Sequence, residues 1–219
     1  MLEVIKSRHS VRQYLDKSIP TDIVEILQKE VNNCNLKSGL DIRLMVEEPL
    51  AFTGMMAKYG RFQYVKNYFA ICGKKNKLSK EKAGYYGEKL VLKAQELGLN
   101  TCWVALTYNK AKCPVKPNKK EEIIIVIALG YGANQGNLHK SKPLTSLYSS
   151  KEEVPSWFIK GVEYASLAPT AINQQQFVFN YKNGVATAKA KIGPCNLIDL
   201  GIVKYHFELG AEKENYFNL

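Results

Sequence analysis

Glu122-Ile123-Ile124-Ile125-Val126-Ile127-Ala128-Leu129 is apolar at every position after the first and runs into Gly130-Tyr131-Gly132. Its β-branched content and its length predict a strand, and the lack of polar alternation places that strand at the centre of a sheet covered by helices on both faces. Two shorter apolar runs, Ile42 to Glu47 and Tyr68 to Gly73, are candidate partner strands. Between them and the central strand, Glu88 to Leu97 carries apolar residues at 90, 91, 94 and 97 and stops at Gly98, the pattern of a helix closed by glycine. Earlier, Thr21 caps a predicted amphipathic helix with apolar residues at 23, 26, 27 and 31 that fades at Asn32-Asn33. Downstream the chain is irregular to Tyr148. A helix from Pro155 to Ser166, a hairpin of 177–181 and 185–189 turning at Asn183-Gly184, and a helix over 199–209 follow.

The 219 residues carry 31 Lys+Arg against 20 Asp+Glu, a net charge of +11, with 46% hydrophobic residues. That fits one compact domain, 1–219, with two related halves, 1–150 and 151–219, as the alternative division. A weak echo between Gly87–Gly98 and Gly201–Gly210, each ending in Glu-Leu-Gly, is the only sign of such halves. Disorder is excluded by composition. No apolar run reaches a membrane span and Met1–Ser10 lacks the apolar core of a signal peptide, so a cytoplasmic protein without membrane attachment is expected. Five cysteines without a CxxC pair read as reduced, mostly buried thiols, and three histidines without a ligand cluster give no metal site. The lysine runs 74–82 and 110–120 read as solvated loops. Without interleaved aromatics they do not make a nucleic-acid surface.

Several classes of site fail on spacing. Gly130 to Gly136 gives GxGxxxG and no following helix, so it is not a dinucleotide fingerprint, and neither GxxxxGK[ST] nor GxSxG occurs. Other stretches carry chemistry. In Arg8-His9-Ser10-Val11-Arg12 an extended backbone sends residues 8, 10 and 12 to one side, where two guanidinium groups and a hydroxyl suit a phosphate. Lys140 and Lys142 repeat the alternation and complete such a site. Ala168-Pro169-Thr170-Ala171-Ile172-Asn173-Gln174-Gln175 concentrates neutral donors and acceptors suited to the edge of a heteroaromatic ring. In the run from Gly98 to Leu106, small Ala105 lets backbone N–H groups approach a flat ligand while Trp103 shields it. His206 and Glu208 lie two apart on a helix and diverge, so His206 reads as structural.

Taken in order, these segments resemble the FMN-dependent nitroreductase family. Arg8 to Tyr14 resembles its Arg-x-Ser-x-Arg/Lys-x-Phe opening. Leu97 to Val104 is similar to its leucine-glycine-leucine-glycine-threonine-cysteine-tryptophan segment, Glu122 to Gly132 to the strand that follows, and Lys140-Ser141-Lys142 to its basic pair. One departure stands out. The family's alanine-proline-serine-x-x-asparagine-x-glutamine loop normally follows the first helix, and here its likeness, 168–175, lies near the C-terminus, with Asn33-Cys34-Asn35 in the expected place.

The resemblance implies an α+β fold with a central mixed, largely antiparallel sheet and helices on both faces, and two pseudo-symmetric halves. It implies FMN as cofactor, NADH or NADPH as donor, and a ping-pong transfer of two electrons to a small nitroaromatic, quinone or similar acceptor. Arg8, His9, Ser10, Lys140 and Lys142 would hold the phosphate and ribityl end, with Arg12 against the charge that gathers on the reduced ring. Pro169, Thr170, Asn173 and Gln175 would border the ring, and backbone N–H groups at Val104, Ala105 and Leu106 would reach it. No side chain is implied as a general acid. In the family two subunits build each site, so the displaced loop implies either a monomeric pseudo-dimer or a homodimer. A flavin-binding protein without turnover and a basic anion or nucleic-acid binder stay open as alternatives.

Overall fold

The computed structural model describes residues 1–219. In chain order the helices are α1 Leu2–Ser7, α2 Thr21–Ser38, α3 Met55–Tyr59, α4 Lys77–Glu96, α5 Ser156–Ser166 and α6 Asn196–Ala211. The strands are β1 Asp41–Met45, β2 Asn67–Lys74, β3 Asn100–Val104, β4 Glu121–Gly130, β5 Tyr148–Ser150, β6 Phe177–Lys182 and β7 Val185–Ala190. Strands β1-β2-β4-β3 form one antiparallel sheet, and β5-β6-β7 form a second in which β5 and β6 run parallel. None of the helices is long and apolar enough to cross a membrane.

β4 lies inside the first sheet, and its pleat sorts its side chains between two cores. Ile125, Ile127 and Leu129 point with Phe69 and Ile71 of β2 into the larger core, while Val126 and Ala128 point with Tyr68, Ala70 and Cys72 into the smaller. Burying each such Ile or Phe contributes about 1.5–3 kcal/mol, which is why an unbroken apolar run settles here. The larger core is closed by α2, α4, α5 and α6. The smaller is closed by the short α3 and by loops carrying Val11, Tyr14, Phe52, Phe62 and Tyr108. Helices therefore stand on both faces, as expected, but unequally: the second face has the one short α3, because most of residues 46–66 and 105–120 supply scattered apolar residues without helical period.

Other departures have local causes. α2 continues through Asn32-Asn33 to Ser38, because Val31 and Cys34 stay buried and Gly39, in the left-handed region at φ 68°, provides the stop. Pro20, not Thr21, occupies its N-cap. The lysine run expected as a loop enters α4 at Lys77, where the Asn76 side chain accepts the Ser79 N–H at 2.7 Å. α6 crosses α4 at two glycines: a Cβ at Gly84 would lie 1.9 Å from the Ile198 carbonyl oxygen, and one at Gly201 1.9 Å from that of Glu81. The glycine of α4 that faces Gly201 across this crossing is thus Gly84. The space beside Gly87, the start of the sequence echo, is filled by the Trp103 ring.

Candidate functional site

Two adjoining hollows lie where the N-terminal segment, the end of β3, the 136–140 segment, the 169–173 loop and the start of α6 converge. Ser10, Arg12, Pro169, Thr170 and Ile172 line both. The smaller, about 120 Å³, is mostly apolar, walled by Trp103, Ala105, Ile125, Ile198 and Ile202. The larger and more open, about 760 Å³, adds Arg8, His9, His139, Lys140 and Asn173. An apolar hollow beside a cationic one is thus lined by residues of one chain.

Residues 8–12 are held extended by the β3 edge: Ser10 bridges Thr101 in parallel and the Val11 N–H donates to the Thr101 carbonyl at 3.0 Å. Arg8 follows the last turn of α1 and is buried, only 4% exposed. Its Nε lies 4.0 Å from Glu88 Oε1 and has no hydrogen-bond partner. Burial lowers its pKa, with Glu88 opposing. Glu88 also accepts the Trp103 indole N–H at 3.1 Å and sits 2.9 Å from His206 Nε2, so His206 is engaged by Glu88 and Glu208 by Tyr85. His9 Nδ1 contacts the Gln135 carbonyl at 3.0 Å, and His139 Nε2 that of Ser166 at 2.8 Å. Gly136, at φ 72°, brings its backbone against Ser10 where a Cβ would lie 2.8 Å from the Ser10 oxygen.

The remaining expected residues divide. Ala105 lines the apolar hollow, whereas Val104 is buried in the smaller core and Leu106 is exposed, and neither lines a hollow. Lys140 lines the cationic hollow. Lys142 lines neither: its ammonium donates to the Gln174 carbonyl at 2.7 Å and the Gln175 carbonyl at 3.4 Å. Gln175 is buried and acts as a clamp, its Nε2 donating to the Lys140 carbonyl at 2.8 Å and its Oε1 accepting the Lys142 N–H at 2.8 Å. Asn173 borders the cationic hollow, not the apolar one.

Sequence reasoning missed His139 and Asp199. Asp199, in the first turn of α6, lines the apolar hollow and holds the 169–175 loop: both carboxylate oxygens accept the Ala171 N–H at 3.1 Å, and one accepts Gln174 Nε2 at 2.8 Å. Burial raises its pKa to about 6 against these hydrogen bonds. A lone acid between Ile198 and Leu200 was the available signal.

The chain belongs to the family described as "Putative TM nitroreductase", whose sequence model matches residues 1–211. Its fold is similar to that of a "putative nitroreductase" of Thermotoga maritima, 23% identical over 95% of this chain and 82% of that one, with a TM-score of 0.67. It is also similar to a "putative nitroreductase in complex with FMN" of Desulfovibrio desulfuricans, 20% identical over 70% of this chain and 97% of that one, with a TM-score of 0.55. No curated protein matches the chain.

Proposed function

We propose that the protein is an FMN-dependent oxidoreductase that takes two electrons from NADH or NADPH and passes them, in a ping-pong cycle, to a small nitroaromatic, quinone or similar acceptor. The observation that carries this reading is the buried Arg8 with an unpartnered Nε at the wall of a cationic hollow that opens beside an apolar one. The residues fit FMN. Arg8, Arg12, Lys140 and the Ser10 hydroxyl are donors suited to a phosphomonoester, and Gly136 permits close backbone approach.

Bound flavin supplies hydride acceptance and two-electron release. This chain's residues bind and orient it. Arg8 and Lys140 hold the phosphate, Arg12, common to both hollows, opposes negative charge gathering on the ring, and Trp103, Ile125 and Ile202 exclude water from the apolar hollow. Pro169, Thr170 and Ile172 of the 169–173 loop line both hollows. Because the loop and α6 belong to the same chain as Arg8 and β3, a pseudo-dimeric monomer with one flavin is the assembly we favour. The reading is tested by comparing FMN with riboflavin in fluorescence quenching. FMN should bind roughly tenfold or more tighter, and Arg8→Ala/Arg12→Ala should erase the difference while the protein stays folded. Equal affinity of the two flavins in the parent protein would remove the phosphate site.

A further inference from the structure

The rim of the cleft carries a surface that a hydride donor and a small acceptor leave without a role. Residues 49–80 and 97–120 contain no Asp or Glu. α3, in the first stretch, lies along 107–109 in the second. A Cβ at Gly60 would sit 2.7 Å from Thr107 Cβ, and Asn109 donates its N–H to the Ala51 carbonyl at 2.7 Å and its Nδ2 to that of Thr53 at 3.3 Å. The segment after α3 pairs with the site itself, for the Gln63 N–H donates to the Arg12 carbonyl at 3.0 Å, and Arg12 lies over the Phe62 ring at 6.0 Å. The other strip begins at Ala105 in the apolar hollow. The patch therefore adjoins the cleft on two sides.

The two stretches hold apolar side chains in water: Met55 is 84% exposed, Tyr59 81% and Leu106 68%. Lys58 and Arg61 flank Tyr59 in the first stretch, and Lys110, Lys112 and Lys116 follow Asn109 in the second; all five are exposed and none has a carboxylate in salt-bridge range. Exposed apolar side chains among charged ones suit a protein-binding face, and the uniform sign selects an acidic partner. A nucleic-acid backbone would match the cations and leave exposed methionine and tyrosine unsatisfied.

We infer that this face docks an acidic one-electron carrier protein that delivers electrons to the cleft beside it. The inference deepens the flavin reading by adding a second donor to the site. Two reduced carriers each give up one electron, two protons come from solvent, and a quinone acceptor leaves as the hydroquinone.

The test uses a plant-type [2Fe–2S] ferredoxin as probe and reads binding by calorimetry, a signal that does not depend on flavin. The ferredoxin should bind, weaken as salt rises, and weaken about tenfold or more with Lys58→Glu/Arg61→Glu. Lys151→Glu/Lys182→Glu, an equal charge change on exposed residues of the second sheet region, should leave binding nearly intact. Absence of binding, or equal weakening by both pairs, would overturn the inference. Tighter binding of a single-stranded oligonucleotide or of phosphatidylserine vesicles, lost with the same α3 variant, would overturn it in favour of those surfaces. Failure of the flavin reading would appear separately, as a protein that binds ferredoxin and retains no FMN.

Discussion

Arg8 shows how one side chain can be stabilised and left available at once. Glu88 compensates its buried charge from 4.0 Å, too far to satisfy Nε, so a phosphate oxygen would complete a donor that the fold leaves open. Arg8→Ala should therefore weaken FMN more than riboflavin, by roughly tenfold or more, in equilibrium titrations. Asp199 makes the opposite bargain. Its pKa is raised from 3.8 to about 6, so the fold favours the protonated form. That contribution to stability is complete below its unfolded value and is lost as pH rises through about 6, up to about 3 kcal/mol. Urea unfolding of the parent should show this loss between about pH 4 and about pH 6, and Asp199→Asn should flatten it. A parallel profile in the variant would place the titration elsewhere.

Among the elements, the α4–α6 crossing holds the C-terminal segment against the first sheet. Gly84→Ala should force a Cβ into the Ile198 carbonyl and destabilise the protein by about 2 kcal/mol or more, seen as a lower urea midpoint. The elements most legible in the sequence were those whose pattern is decided locally: β4 by its unbroken apolar run, β6 and β7 by the turn at Asn183-Gly184, and α5 by Pro155 before an amphipathic stretch. Those missed depend on distant partners. α1 is six residues long and packs on α4. β3 needs the β4 edge beside it, and β5 needs β6. At the site, Arg8 to Arg12 and Lys140 could be read because their charge has few local uses. Gln175 and Lys142 resemble ligand groups in sequence, and only the folded loop shows them bonded to each other's backbone.

Over the whole molecule, the β3 edge and the 169–175 loop meet inside a single chain, and the buried contacts Glu88–His206 and Tyr85–Glu208 join α4 to α6. The protein should elute at its monomer mass of 24.7 kDa with one flavin per chain. Twice that mass with a flavin content that falls on dissociation would show that a partner subunit completes the site. If the proposed function holds, this cleft binds a flavin and reduces it. The most direct measurement is the absorption spectrum of the purified protein after adding FMN and removing the excess, followed by NADPH or NADH without oxygen. Retained yellow flavin that bleaches with the nucleotide is the predicted result. A protein that retains no flavin would show that the cleft is not a flavin site.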